Sequence, residues 1–298
     1  MLRCLHCGKE YIENFNIQTC NVDHGDWPFN TNLYSTSIKN FSFETTPLEK
    51  ESKYLYLKRE DKNLTTRNFK DRKSFFVLGK RSKFALASSG NQAISLAENN
   101  LKYFGKDLDA YLYVSPSINT EKLFRLKKLY SKINFTDRIL TADEILQHEV
   151  TLRCNVTSGM DPLGASAYYS LAMELEAENF DYILVPCGSG ELYSALSCYF
   201  HLLRKRPIHP FIIPVQSELS ETDAITTKFV ASQPFIDYFA KEHAQYPFFL
   251  LNKTETLKSL QAYSDKYNCE LSSAVVFEAY EKLKLKGKTC LVVTGGKK

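Results

Sequence analysis

The amino-acid sequence predicts an α/β fold with open, mostly parallel sheets. Two observations support this prediction: short apolar runs alternate with amphipathic helical segments, and glycine-bearing loops follow three of the apparent strands. Strands separated by helices favour parallel sheets covered by helices on both faces. In such sheets, ligands bind beyond the carboxyl ends of the strands. The chain has 298 residues, enough for one large domain or two moderate ones.

The predicted elements follow one another regularly from residue 54. Strands are expected at residues 54–59, 84–87, 110–114, 182–185, 211–215 and 289–293. Helices are expected at residues 70–80, 121–133, 163–177, 192–203, 254–267 and 273–286. A further helix after Gly90 would bury one face, made of Ala93, Ile94, Ala97, Leu101 and Phe104. Residues 28–53 are expected to form an extended lead-in, and residues 216–250 show no regular pattern.

Composition and charge narrow the class of protein. The chain is 44% hydrophobic and 24% charged, as ordinary globular proteins are. Its longest apolar runs are too short to cross a bilayer, and its first residues are unlike a signal peptide, so we expect a cytoplasmic protein without a membrane partner. The net charge of +4 comes from lysines spread along the chain. Because no nucleic-acid motif accompanies them, nucleic acid is not an expected partner.

The amino-terminal segment, residues 1–27, carries closely spaced cysteines. Cys4 and Cys7 are spaced like a pair of zinc ligands, and Cys20 and His24 could complete a set of four. Two interpretations stay open: a structural zinc site, closed by four protein ligands, and a degenerate ribbon that no longer binds metal. The five remaining cysteines are expected to be reduced thiols; they lie at positions 154, 187, 198, 269 and 290.

Three loops after predicted strands offer groups that suit an anionic small molecule. The first, Pro186–Leu192, places small residues and backbone N–H groups at a helix start, where one phosphate would fit; a plain tight turn is the alternative. The second, Ser88–Gln92, suits a carboxylate or an ordinary helix cap. The third, Thr294–Gly296, follows the last strand.

Lys70 is a candidate for amine chemistry. It lies at a predicted helix start, and this position, together with enclosure, favours the neutral amine that Schiff-base chemistry requires. A solvated surface lysine is the alternative.

Taken together and in order, these segments resemble the threonine synthase family of fold-type-II pyridoxal-phosphate (PLP) enzymes. The matching segments are TPL (46–48), LYLKREDKNLTTRNFKDR (55–72), ASSGNQA (87–93), VPCGSGELYSAL (185–196), ELSSAVVFEA (270–279) and VVTGGK (292–297). The resemblance implies two mostly parallel α/β domains with PLP between them. The large domain would comprise 28–69 and 156–298, and the small mobile domain 70–155. It also implies a homodimer and a small-molecule amino-acid substrate.

The resemblance implies a role for each matching residue. Lys70 would hold PLP as an internal aldimine and later move protons, Asn91 would bond the PLP 3′-oxygen, and Thr294 would face the pyridine nitrogen. The cofactor phosphate would lie against Gly188, Ser189, Gly190, Glu191 and Leu192. The substrate carboxylate would be held by Ser88, Ser89, Gly90 and Gln92, and a substrate phosphate by Lys62 and Arg67.

Glu191 departs from the family pattern, which favours a small residue at this position. A carboxylate beside the PLP phosphate would lower affinity unless it points to solvent.

The activity implied is that of a lyase that converts O-phospho-L-homoserine and water to L-threonine and phosphate. One alternative is another fold-type-II enzyme, either a serine/threonine dehydratase or a β-replacing synthase acting on a phosphorylated or acetylated amino acid. A second alternative, which Glu191 motivates, is a PLP-fold protein that binds its ligand without turnover.

Overall fold

The α/β fold class predicted from the sequence is confirmed, and the chain divides into two units. The computed structural model describes residues 1–14, 17, 19–25, 31–37, 43–88, 90–105, 107–114, 118–131, 133–136, 154–204, 209–225 and 230–297. The first unit comprises residues 1–41 and 70–167, and the second comprises 42–69 and 168–298. Within the described part of the chain, every helix is too short or too polar to cross a bilayer.

The strands and helices have the following bounds. The strands are β1 (Leu2–Cys4), β2 (Glu10–Tyr11), β3 (Leu33–Ser35), β4 (Leu48–Lys50), β5 (Leu55–Arg59), β6 (Lys83–Ala87), β7 (Asp109–Val114), β8 (Ile133–Phe135), β9 (Cys154–Asn155), β10 (Tyr182–Pro186), β11 (Phe211–Ser217), β12 (Phe249–Leu251) and β13 (Thr289–Val293). The helices are α1 (Lys70–Leu78), α2 (Asn91–Asn99), α3 (Thr120–Leu129), α4 (Pro162–Ala165), α5 (Tyr169–Glu176), α6 (Glu191–Ser197), α7 (Gln233–Glu242), α8 (Lys253–Tyr267) and α9 (Leu271–Leu283). Two π-helical segments, Asn100–Phe104 and Cys198–Leu203, continue α2 and α6.

The first unit contains two sheets that share one core. A parallel sheet has the strand order β8-β7-β6-β9, and a small antiparallel sheet has the order β2-β1-β3. Apolar side chains from both sheets and from α1 to α4 form a single hydrophobic cluster, which includes Leu2, Leu33, Val77, Leu86, Ile94, Leu112, Leu126 and Leu163. The unit is therefore wider than the small domain predicted at 70–155, because the amino-terminal strands and α4 bury their apolar residues in the same core. A mobile small domain stays a prediction.

The second unit is built on a six-stranded sheet with the order β12-β11-β10-β13-β5-β4. All neighbouring strands are parallel except the edge pair β4 and β5. Strands β10 and β13 lie in the middle, and from Ile183 to Pro186 and from Thr289 to Val293 every residue is buried. This burial explains why these strands read as continuous apolar runs in the sequence.

The predicted elements differ from the structure in three places. Leu101, expected on a buried helix face, is 71% exposed, because the π-helical winding after Asn99 changes which residues face the core. The helix expected at 121–133 ends at Leu129, and Ile133 pairs with Leu112 in the parallel sheet. The unassigned region 216–250 contains α7, which has Pro234 in its first turn.

Candidate active site

Lys70 is a partly enclosed amine held in one position. It is the first residue of α1, and its Nζ donates a hydrogen bond to Ser158 Oγ at 2.5 Å. The chain just before it is also anchored, because the Phe69 N–H donates to the Thr294 carbonyl at 2.9 Å and Asn68 forms a β-bridge with Gly295. This environment differs from that of a solvated surface lysine, which was the alternative interpretation.

Helix α1 is fixed in the first unit by buried charges. The ammonium of Lys73, one turn after Lys70, lies 3.3 Å from the Asp161 carboxylate, and both side chains are fully buried. Asp161 Oδ1 also accepts from the Gly164 N–H at 2.7 Å. On the other side, Asp71 accepts from Ser95 Oγ at 2.6 Å. Breaking either contact would leave a charge in the core, so these pairs hold the helix that carries Lys70 in place.

The loop before α2 requires glycine at position 90. Gly90 has φ +118°, and a Cβ there would lie 3.0 Å from Lys122 Cδ. Asn91, the first residue of α2, is buried. The Gly90 N–H donates to Ser88 Oγ at 3.1 Å, which closes a local turn before the helix, and among the described residues no side chain caps the first turn of α2. The predicted residue Ser89 lies outside the described residues.

Gln92 does not lie open to a ligand. Its side chain is 3% exposed, and its Nε2 donates to Ser74 Oγ of α1 at 2.9 Å. This hydrogen bond joins α2 to α1. The structure therefore gives Gln92 a packing role, and its binding of a substrate carboxylate stays a prediction.

The loop between β10 and α6 is closely packed. Gly190 has φ +84°, and a Cβ there would lie 2.8 Å from Ser232 Cβ. The Ser232 N–H donates to the Ser189 carbonyl at 2.9 Å. Ser232 Oγ is buried and has no hydrogen-bond partner among the described residues. Gly188 and Ser189 are half-buried, and Leu192 packs in the core.

Glu191 is buried rather than turned to solvent. It is the first residue of α6, and its side chain is only 2% exposed. A carboxylate at this position was expected to leave phosphate affinity unchanged only if it pointed to solvent, and the Glu191 carboxylate does not. A carboxylate at this helix start interacts favourably with the helix dipole, and it competes there with any other anion.

Thr294 belongs to a buried pair of hydroxyl groups. Its Oγ1 lies 3.0 Å from Ser273 Oγ, and the Gly295 N–H donates to Ser273 Oγ at 2.8 Å. Ser273 is fully buried near the start of α9. The sequence contained Ser273 within a quoted motif but gave it no role, because nothing in that motif distinguishes it from its neighbour Ser272.

The two basic residues predicted to bind a substrate phosphate have other partners. Arg67 donates from its guanidinium to the Lys297 carbonyl at 2.6 Å and to the Asp61 carbonyl at 3.4 Å. A Cβ on Gly296 would lie 2.9 Å from the Arg67 guanidinium, so this side chain packs closely against the carboxyl-terminal residues. Lys62 is 41% exposed and lies 3.9 Å from Asp61 Oδ2.

The four predicted metal ligands lie together in the first unit. The ligand atoms of Cys4, Cys7, Cys20 and His24 all lie within 4.8 Å of one another. The sulfur atoms of Cys7 and Cys20 are 3.7 Å apart. Two thiolates bound tetrahedrally to zinc at about 2.3 Å would be about 3.8 Å apart, so this spacing suits a zinc ion.

The electrostatics of this cluster favour a thiolate at one position. Burial acts to raise the pKa of Cys20, but hydrogen bonds from the Tyr11 hydroxyl at 3.0 Å and from the Val22 N–H outweigh it, and the pKa falls to about 6. Burial raises the pKa of Cys4 to about 11. Since the thiolate is the form that binds metal, Cys20 is the sulfur best prepared for a metal ion.

The sequence matches the family described as "Pyridoxal-phosphate dependent enzyme" over residues 41–295. The chain belongs to this family. No curated protein matches the sequence significantly. The predicted membership of the PLP enzymes is thus confirmed, whereas the narrower relationship to threonine synthases stays a prediction.

Several solved enzyme structures share the fold. The processed form of threonine deaminase isoform 2 from Solanum lycopersicum is 18% identical, with a TM-score of 0.63, over 86% of this chain and 84% of that one. An O-acetylserine dependent cystathionine beta-synthase from Helicobacter pylori is 20% identical, with a TM-score of 0.65, over 85% and 92%. Maize serine racemase is 16% identical, with a TM-score of 0.64, over 86% and 89%. At these identities the likeness concerns the fold alone.

Each unit, taken by itself, offers groups that suit the cofactor of this family. Lys70 offers a partly enclosed amine, Thr294 and Ser273 offer a buried hydroxyl pair, and Ser232 offers a buried hydroxyl beside Gly190 that an anion's oxygen would satisfy. The buried carboxylate of Glu191 is the one feature described above that opposes a phosphate.

Proposed function

We propose that this protein is a PLP-dependent lyase that uses Lys70 as the attachment point for its cofactor. The observation that carries the proposal is the position of the Lys70 amine, fixed at the first residue of α1 by Ser158. When bound, PLP withdraws electrons from the α carbon of an amino acid and so makes that carbon acidic. Lys70 Nζ, once neutral, is the base that takes the α proton.

The other residues would hold and tune the cofactor. In the proposal, backbone N–H groups from Gly188 to Leu192 bind its phosphate, and Asn91 bonds its 3′-oxygen. Thr294, bonded to Ser273, is the group for the pyridine nitrogen. A hydroxyl stabilises a protonated ring nitrogen less than a carboxylate would, because it carries no charge. This weaker stabilisation favours elimination and replacement on the substrate side chain.

Within this reaction class we propose the threonine synthase reaction, conversion of O-phospho-L-homoserine and water to L-threonine and phosphate. The support is the resemblance of six segments, in the same order, between residues 46 and 297. Lys70 would serve both proton transfers at the substrate's α and β carbons.

One observation favours a second candidate, an enzyme that acts on an amino acid without a phosphate group. The guanidinium of Arg67 is engaged by backbone carbonyls, and Lys62 faces solvent near Asp61. Neither cation is therefore prepared to hold a substrate phosphate. A serine/threonine dehydratase, or a synthase that replaces an acetyl group, needs no such cation.

The test combines cofactor attachment with product analysis. Protein loaded with PLP is reduced with borohydride, and the modified peptide is identified by mass spectrometry. We expect the label on Lys70, its loss in Lys70→Ala, and its retention in Lys53→Ala, which alters an exposed lysine. Attachment at another residue would contradict the proposal.

Product analysis then separates the reactions. Threonine and phosphate released from O-phospho-L-homoserine would support the threonine synthase reaction. The dehydratase would instead give 2-oxobutyrate from threonine or pyruvate from serine. If PLP attaches to Lys70 and none of these substrates, nor an O-acetylated amino acid offered with a thiol, is consumed, the protein binds the cofactor without turnover.

We also propose that Cys4, Cys7, Cys20 and His24 bind a structural zinc ion. The support is the 3.7 Å spacing of two ligand sulfurs and the grouping of all four ligand atoms. Four protein ligands close the coordination shell of zinc, which leaves no position for a substrate.

A further inference from the structure

The loop that joins β9 to α4, residues 156–161, places a hydroxyl group on the Lys70 amine. We call it the Ser158 loop. Lys70 Nζ donates to Ser158 Oγ at 2.5 Å, and both residues are half-buried within the first unit. Because Ser158 contacts the atom that is proposed to react, its hydroxyl is a candidate for a role in the reaction as well as in packing.

One end of the Ser158 loop is fixed to the parallel sheet. The Ala87 N–H donates to Thr157 Oγ1 at 2.9 Å, and the Val156 N–H donates to the Ala85 carbonyl at 3.0 Å. The Thr157 N–H in turn donates to Asn155 Oδ1 at 3.0 Å. These bonds set the path of the chain up to Ser158.

The other end of the Ser158 loop is fixed to α1. The Asp161 carboxylate lies 3.3 Å from the Lys73 ammonium, one helical turn after Lys70. Gly159, with φ +82°, turns the chain between these two anchors. Because the loop is attached to both the sheet and the helix, the Ser158 hydroxyl keeps a fixed place relative to the start of α1.

We propose that Ser158 is a further active-site residue, which orients the Lys70 amine for reaction. The proposal rests on the function proposed for Lys70. A hydroxyl accepts a hydrogen bond from a charged amine and donates one to a neutral amine, so Ser158 holds Nζ in place in either protonation state. A group held in its reactive orientation reacts faster, because the conformational entropy of ordering it is lost on folding and not during the reaction.

The experiment uses the protein without PLP, so that its outcome does not depend on turnover. Ser158→Ala removes the hydroxyl and Ser158→Thr keeps it. Ser166→Ala is the matched control, since Ser166 is a half-buried serine of the same unit whose hydroxyl donates to the Leu163 carbonyl at 2.6 Å. Two quantities are measured at the Lys70 peptide by mass spectrometry: the pH midpoint of acetylation by acetic anhydride, and the rate of PLP attachment trapped with cyanoborohydride. Thermal unfolding of each variant checks its folding.

In Ser158→Ala we expect the acetylation midpoint to fall by about one pH unit, because the hydrogen bond lost from the charged amine is stronger than the one lost from the neutral amine. At a pH above both midpoints, PLP attachment should slow about tenfold, because the amine is no longer oriented. Ser158→Thr and Ser166→Ala should behave as the unaltered protein. An unchanged midpoint and rate in Ser158→Ala would overturn the role of Ser158. Failure of the unaltered protein to attach PLP at Lys70 would instead contradict the proposed function, and the midpoint would still report on Ser158.

Discussion

At residue 190, both the backbone conformation and the surrounding space require glycine. Gly190→Ala forces a Cβ into φ +84° and to within 2.8 Å of Ser232 Cβ. We expect the free energy of unfolding to fall by about 3 kcal/mol, from left-handed strain and overlap together. Urea denaturation measures the change.

Gly105→Ala is the matched control for this change. Gly105 also has positive φ, +58°, but no atom lies within 4 Å of the added Cβ. Its substitution should therefore cost only the backbone strain, about 1 kcal/mol. Equal losses in the two variants would show that the contact with Ser232 is unimportant.

The buried pair of Lys73 and Asp161 provides a second prediction. Asp161→Asn keeps an oxygen that accepts from the Gly164 N–H but removes the charge that faces Lys73. A fully buried ammonium without its partner should lower the free energy of unfolding by about 3 kcal/mol.

A double-mutant cycle, measured by urea denaturation, separates the interaction energy of the pair from the effect of each substitution on its surroundings. Because the Lys73→Met/Asp161→Asn double variant leaves no unpaired charge, it should lose less stability than the two single variants added together. Glu98→Gln, which breaks the more exposed pair with Arg125, should cost under about 1 kcal/mol. Simple additivity in the cycle would contradict a direct charge interaction.

At the residue scale, the sequence indicated which groups carry chemistry but not their partners. Lys70 could be singled out because it lies in a motif, whereas Ser158 could not, because its contact with Lys70 spans 88 positions in the chain. Glu191 was recognised as unusual, yet its burial depends on packing that no local pattern reports.

At the element scale, three histidines from different segments meet in the second unit. The ring of His201, in the π-helical segment after α6, lies 5.0 Å from that of His209 and 5.1 Å from that of His243. Burial, and then the neighbouring His243 and His209, lower the pKa of His201 to about 3. Burial also lowers the pKa of His209 and of His243.

This cluster should make the protein less stable in acid. Below its unfolded pKa of about 6.5, His201 binds a proton in the unfolded chain but not in the folded one, so stability falls as the pH drops from about 6.5 towards 3. The loss cannot exceed about 1.4 kcal/mol per pH unit for this group, and we expect about 2 kcal/mol between pH 7 and pH 5. Above pH 7 this contribution should be constant.

Urea denaturation at pH 5, 6 and 7 measures the effect. His201→Phe removes the titrating group, so its stability should depend less on pH. His6 lies in the first unit, far from His201 in the sequence. His6→Gln should therefore leave the pH dependence of the free energy of unfolding as it is in the unaltered protein. The idea fails if His201→Phe and His6→Gln show the same slope.

The element boundaries show where periodicity is a reliable guide and where it is not. The strands β10 and β13 were predicted to within one residue, because fully buried parallel strands are unbroken apolar runs. The prediction that Leu101 is buried was wrong. A π-helical turn looks like an α-helix in the sequence, yet it shifts every later side chain around the helix. Helix α7 was missed because its Phe and Tyr content resembles a strand, although Pro234 in its first turn was a usable signal.

At the scale of the whole molecule, the sequence predicted two α/β units but not the membership of the amino-terminal segment. Strands β1, β2 and β3 are only two or three residues long, and they gave no periodic signal. In the structure, Leu2 and Leu33 share a hydrophobic cluster with Val77 of α1 and Leu86 of β6. Contacts of such long range are set by tertiary packing, which a local pattern does not encode.

This shared core predicts how the molecule should respond to metal removal. If Cys4, Cys7, Cys20 and His24 bind zinc, a chelator should destabilise the whole first unit, because the metal-bound strands support its core. We expect a loss of about 3 kcal/mol, which corresponds to a fall of about 6–12 °C in Tm. Elemental analysis should give one zinc per chain before chelation and none in a Cys4→Ser/Cys7→Ser variant, whose Tm should no longer respond to the chelator.

Hydrogen exchange then distinguishes a coupled segment from an independent one. Amides of α1 and β6 should exchange faster after chelation, because their residues Val77 and Leu86 pack in the cluster that contains Cys4 and Cys20. Amides of β10 and β13, in the second unit, serve as the internal reference and should change less. If only residues 1–37 lost protection, the amino-terminal segment would be an independent ribbon, and the metal would have no part in holding the helix that begins at Lys70.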